Sequence, residues 1–149
     1  MQQSRLLPPT YFLIALVAMA VLHFLVPVAQ VVPAPWNLVG IFPLVVGIAL
    51  NVVADGLFHK VKTTIRPGAE SAVLVTGGPF TFSRNPMYLG FALVLLGVAL
   101  LLGSLTPFAV IPVFAVLIDR MFIEMEEQML RTKFGAAWET YASRTRRWL

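Results

Sequence analysis

The chain of 149 residues contains no cysteine. Disulfides, thiolate metal sites and a cysteine nucleophile are therefore excluded. Charge is also scarce, at 12% of residues against 58% hydrophobic, and long stretches have none. No Asp, Glu, Lys or Arg occurs from Leu6 to Ala54, or from Asn85 to Ile118. A soluble domain of this size needs charge spread over its surface. Uncharged apolar blocks of this length read as membrane spans, at about 20 residues each. Tyrosines aside, His23 is the sole ionisable side chain deep within those blocks, which argues against an ion or proton path across a bilayer. Internal repeats and low-complexity segments are missing too, and the length suits one domain over residues 1–149.

The apolar pattern predicts an all-α integral membrane bundle of four transmembrane helices, over 11–32, 36–54, 86–102 and 107–123. Arg5 ahead of the first block imitates a signal peptide, but the apolar run outlasts a typical signal core and further spans follow. "VVPAPW" and "GSLTP" read as external turns, with Trp36 suited to the interface and Pro43 a kink inside the second span. A polar loop over 55–85 and an amphipathic helix over 124–147, with Gly135 as a possible break, complete the chain. The net charge of +4 comes from three basic groups: Arg5; Lys60 to Arg84; and Arg120 to Arg147. All can lie on one face of a four-span bundle. By the positive-inside rule that face, with both termini, is cytoplasmic. The placement suits lipid head groups rather than nucleic acid, and the tail "RTRRW" reads as a head-group anchor.

Two polar clusters fall on that face. The first is "GGPFTFSRNPMYLG", from Gly77 to Gly90. Gly77, Gly78 and Pro79 permit a sharp turn or a close backbone approach. Pro86 is suited to the first turn of a helix, whose free N–H groups favour an anion, and Arg84 adds a guanidinium fork beside it. A purely structural reading explains the same residues: Asn85 caps the helix, Arg84 snorkels to head groups, and Tyr88 joins the aromatic belt. The second cluster is Glu124, Glu126 and Glu127, where a helix leaves the membrane. Adjacent Glu126 and Glu127 diverge by about 100° on a helix, so one of them faces the bundle and needs a cation, with Arg84, Arg120 or a ligand as candidates. An Arg84–glutamate salt bridge and a ligand site both remain open. Asp55 and His59, i and i+4 on a helix, read as an interfacial pair rather than half a metal site, and no metal centre is expected.

Together the clusters would match a zwitterionic sulfonium cofactor bearing a purine, and phosphate head groups would fit part of the same list. "LVTGGPFTFSRNPMYLG" (Leu74 to Gly90) and "EEQMLRTKFGAAWETY" (Glu126 to Tyr141), one helical hairpin apart, resemble the isoprenylcysteine carboxyl methyltransferases and their relatives the phospholipid N-methyltransferases. "TTIRPG" resembles a segment upstream in many bacterial members. The resemblance implies an S-adenosylmethionine-dependent methyltransferase of the bacterial inner membrane, with a lipophilic or small methyl acceptor reaching it through the bilayer. It implies that Arg84, Asn85, Tyr88, Glu126 and Glu127 line the cofactor pocket, with Gly78 and Phe80 shaping its loop. Arg84 and Glu127 would be catalytic, Glu127 as base where one is needed. Prenylcysteine enzymes carry R-H-P where this chain has Arg84–Asn85–Pro86, and an Arg at the position of Phe122; both departures weigh against a prenylcysteine acceptor. A cofactor-binding module without turnover, and a structural bundle or small transporter subunit, are the rival readings. No obligate protein partner is implied.

Overall fold

The computed structural model describes residues 6–61 and 73–149, and every regular element among them is a helix. Helix α1 (Pro8–Leu25) opens on two prolines, whose preset φ suits a first turn that has no intrahelical donor to lose. It ends before Pro27, seven residues short of the Val32 expected from hydropathy. The proline ring and its missing N–H stop a helix in the middle of an apolar run. The next residues form a non-helical strap with Val28 at φ +58°. Helix α2 (Ile41–Lys60), entered through a 3₁₀ turn at Trp36–Gly40, instead outruns its expected end at Ala54. Asp55 and His59, i and i+4 in the added turns, lie 3.4 Å apart on its surface. Pro43 lies in the first turn of α2, where no helical bond is lost, so the kink expected there is not required.

Helix α3 (Pro86–Leu102) is an apolar helix with the bounds expected of the third block, and Gly103 ends it in the left-handed conformation at φ +73°. A 3₁₀ turn at Thr106–Ala109 leads into α4 (Val110–Ile118), which passes through a π-helical turn (Asp119–Ile123) into α5 (Glu124–Phe134). Gly135, at φ +49°, then separates α5 from α6 (Ala136–Arg144), dividing the expected C-terminal helix in two. Arg5, Lys62, Arg66 and the "TTIRPG" segment lie outside the described residues.

Two helical stretches, Pro8–Leu25 and Trp36–Lys60, are long and apolar enough to cross a membrane. Only 17% and 22% of their apolar windows are buried, the reverse of a soluble core helix. Val17, Phe24, Phe42 and Val52 point outward instead, as they would toward lipid. The interior is assembled around α3: Leu95 and Ala99 pack with Met19 of α1 and with Phe114, Ile118, Phe122 and Ile123 of the α4–π segment. Helices α2 and α3 meet along glycines. A Cβ on Gly97 would lie 2.6 Å from the Gly40 carbonyl, and one on Gly47 would lie 2.5 Å from the Gly90 carbonyl. Neither position admits a side chain. Close backbone approach of this kind is how helices associate in lipid, where burying apolar surface gives no driving force.

At one end of the bundle the strap after α1 closes onto the turn after α3. Val31 and Val32 donate to the Gly103 carbonyl at 2.8 and 3.0 Å, and Leu105 donates to Ala29 at 2.9 Å. His23 Nδ1 meets the Ser104 hydroxyl at 2.7 Å, and Thr106 donates to the Leu22 carbonyl at 3.2 Å. The opposite end, where α3 begins, carries the charge.

Candidate functional site

Pro86 supplies the first turn of α3, and Asn85 holds the N-cap position without capping through its side chain. The Asn85 amide instead donates to the Arg147 carbonyl at 3.0 Å, so the cap expected of it is replaced by a long-range tie. Neighbouring groups repeat that tie. Arg84 N–H donates to the Arg146 carbonyl at 2.9 Å, and the fully buried Ser83 hydroxyl reaches the Arg147 carbonyl at 3.4 Å. The C-terminal residues therefore run back across the start of α3.

That return encloses Arg84. Its Nε donates to Glu127 Oε1 at 3.1 Å, and its Nη1 donates to the carbonyls of Ala142 (3.0 Å) and Thr145 (3.2 Å). Its guanidinium lies 5.8 Å from the Trp138 ring centroid. The Arg84 and Glu127 side chains are 16% and 15% exposed, too sheltered for an ordinary surface salt bridge. Glu127 is also gripped by Arg147, through Nη2 to Oε2 at 2.6 Å and Nε to Oε1 at 3.3 Å. Arg147 reaches on to Asp119 at 3.2 Å. Its pKa is raised, first by the Glu127 hydrogen bond. The result is a chain of alternating charge: Arg84, Glu127, Arg147, Asp119.

Glu126 points elsewhere in the same cluster and accepts a hydrogen bond from the Tyr88 hydroxyl at 2.8 Å. Both glutamates thus turn inward, where the helical geometry required only one. Burial lifts Glu126 to a pKa of about 7, with Tyr88 opposing the shift and Glu127 adding to it. Glu124 faces outward and pairs with Arg120 at 2.7 Å, which takes Arg120 out of the running as partner of the inner carboxylates. Gly78 adopts φ +58°, and a Cβ there would meet Leu57 at 2.8 Å. Phe80 packs edge-on against Phe58 with ring centroids 5.5 Å apart, and its carbonyl accepts from Tyr141 at 2.7 Å. Burial pushes the Tyr141 phenol up to about 12. These two residues fasten the loop to α2 and α6.

The structure thus brings Arg84, Asn85, Tyr88, Glu126 and Glu127 to one place, with Gly78 and Phe80 on its supporting loop. It adds four residues that the sequence did not single out for this site: Asp119, Trp138, Tyr141 and Arg147. Arg147 belongs to the tail read as a head-group anchor, and nothing in "RTRRW" separates it from its basic neighbours. Asp119 carried a usable signal, since an acid at the end of a long uncharged run requires a partner. Trp138 Nε1 is buried without an acceptor among the described residues. Outside the Arg147–Asp119 pair lies a hollow of about 390 Å³, lined by Ala115, Val116, Asp119, Arg120, Arg147 and Trp148.

A helical membrane protein with a sheltered guanidinium–carboxylate cluster at one end of its bundle is the class that these observations define. The phospholipid methyltransferase family model matches residues 36–137. The chain belongs to that family and is, at family level, a membrane methyltransferase. An uncharacterised protein of Haemophilus influenzae is 36% identical over 63 residues, covering 42% of this chain and 100% of that protein. No solved structure matches the chain.

Proposed function

We propose that this protein transfers a methyl group from S-adenosylmethionine to a lipophilic or small acceptor at the cytoplasmic face of the membrane. The observation that supports this best is the sheltered Arg84–Glu127 pair, 3.1 Å apart, at the start of α3. The donor set suits such a cofactor. Arg84 offers a fork for a carboxylate, the two glutamates offer acceptors for an ammonium or for ribose hydroxyls, and Trp138 offers a ring face and an N–H without an acceptor among the described residues. The cofactor supplies an electrophilic methyl group on a sulfonium. The residues hold and orient it and exclude water from the transfer. A carboxylate or thiolate acceptor needs no base. For an amine the proton must go to a carboxylate. Glu127 is one candidate by motif position, but both of its oxygens are committed to guanidinium groups. Glu126, titrating near 7 with a single neutral donor upon it, is better placed to accept a proton.

In this reading the whole chain, 1–149, is one domain with four spans. Helix α3, with 17 residues, and the Thr106–Ile123 segment complete the crossings begun by α1 and α2. Helices α5 and α6 lie on the cytoplasmic surface, both termini are cytoplasmic, and the acceptor arrives from the lipid. The Asn85 and Phe122 departures keep a prenylcysteine acceptor out of the proposal. Calorimetry on the detergent-solubilised protein with S-adenosylmethionine and S-adenosylhomocysteine tests it. Saturable binding that Arg84→Ala abolishes is expected. Binding that is absent, or indifferent to Arg84, would overturn the reading.

A further inference from the structure

Arg147 occupies an unusual position. On one side its guanidinium takes both oxygens of Glu127, at 2.6 and 3.3 Å. On the other it meets both oxygens of Asp119, at 3.2 and 3.4 Å, and forms part of the wall of the hollow. It is therefore the partition between that hollow and the Arg84–Glu127 pair. The segment it belongs to also supplies the carbonyls of Ala142 and Thr145 that engage Arg84. Both groups proposed to hold a zwitterion are already served by the chain's own tail, with a cation on the acid and carbonyl oxygens on the base. At the tip of the tail Leu149 is 67% exposed, while Trp148 packs against the core and holds the backbone in place beside Arg147. The Arg147 side chain, at 35%, is more exposed than Glu127 at 15%.

We infer that Arg147 is a gate: an internal stand-in for the cationic group of the ligand, which must leave Glu127 before that group can bind and which separates the hollow from Arg84 while it stays. The inference rests on the cofactor reading of Arg84 and Glu127. Exchange is physically reasonable because one charge-assisted pair replaces another at the same carboxylate. The side chain is long enough to swing into the adjoining hollow while keeping its bond to Asp119. A side chain that merely buttressed the site would act in the opposite direction, since its removal would loosen Glu127 and weaken binding.

Calorimetry with S-adenosylhomocysteine on the full-length protein in detergent separates the two. Arg147→Ala removes the stand-in. Arg147→Gln keeps an amide near Glu127 without the cation, and serves if Arg147→Ala folds poorly. Both are expected to bind tighter than the parent, Arg147→Ala by roughly tenfold, the size of one charge-assisted contact no longer competing. Unchanged or weaker binding by both variants, with a parent that binds, overturns the gate and leaves the cofactor reading standing. Failure of every form to bind removes the cofactor reading, and the gate with it.

Discussion

The two ends of α3 are closed in different ways. At the Gly103 end the closure is neutral: backbone donors from Val31, Val32 and Leu105, a His23–Ser104 bond, and a glycine in the left-handed region. Those groups satisfy the polar ends of the helices and do little else. At the Pro86 end the same task is already met by the proline, the Ser83 hydroxyl on the Asn85 N–H and the Arg84–Arg146 backbone bond. Yet four more charged side chains and a buried tyrosine–glutamate pair are packed there. Charge beyond what closure needs, held out of water at a cost, is what makes this end the one proposed to perform the chemistry.

The largest expected effect breaks the charged end. Arg84→Ala leaves Glu127 with one guanidinium in place of two and removes the groups on the Ala142 and Thr145 carbonyls. Stability falls by about 2–3 kcal/mol, because Arg147 still compensates Glu127, read as a lower melting temperature in detergent, and S-adenosylhomocysteine binding falls at least roughly 100-fold, about two such contacts' worth. An Arg84→Ala protein as stable as the parent would mean that the pair is solvated. Second is the glycine seam, which belongs to neither end. Gly97→Leu places a side chain against the Gly40 carbonyl and Leu44, for a loss of about 1–3 kcal/mol. It is expected to lower the melting temperature without changing the salt dependence of ligand binding.

Third is a difference in pH response. Glu126 is raised from 4.5 to about 7 in the fold, so the folded state holds its proton more tightly than the unfolded chain does. Its contribution to stability is therefore most favourable below pH 4.5 and is lost as pH rises to about 7. Glu126→Gln removes that slope, which melting curves taken across the interval would show. The smallest effect is expected at the neutral end. Ser104→Ala removes the partner of His23 for about 1 kcal/mol, and ligand affinity measured by calorimetry should not move. A loss of affinity there would erase the contrast between the ends.

Much of this was legible in the sequence because membrane spans and short polar motifs are local. Pro86 and Gly103 bound α3 as their residue types require, and the two motif segments do meet across the hairpin. Three things were not legible. Pro27 cuts α1 within an apolar run whose hydropathy continues unbroken. The pairing of Gly40 with Gly97 and Gly47 with Gly90 depends on which helices are neighbours, and a single chain of letters does not state that. Arg147 depends on a tail that folds back across the start of α3, and it lies beyond the stretch, 36–137, that the family match covers. Arg144, Arg146 and Arg147 are alike in type, and only the path of the backbone distinguishes the one that points inward.

The glycine seam bears on where in the bilayer the proposed reaction would take place. Gly90 is clamped against the α2 backbone in the second turn of α3, the helix that begins two residues after Arg84, so neither helix can slide lengthwise past the other. Whatever membrane depth α2 settles at, the mouth of the proposed site inherits. A variant that shifted that register by one turn would move the mouth about 5 Å along the bilayer normal. Its choice of acceptor would change with every pocket residue still in place.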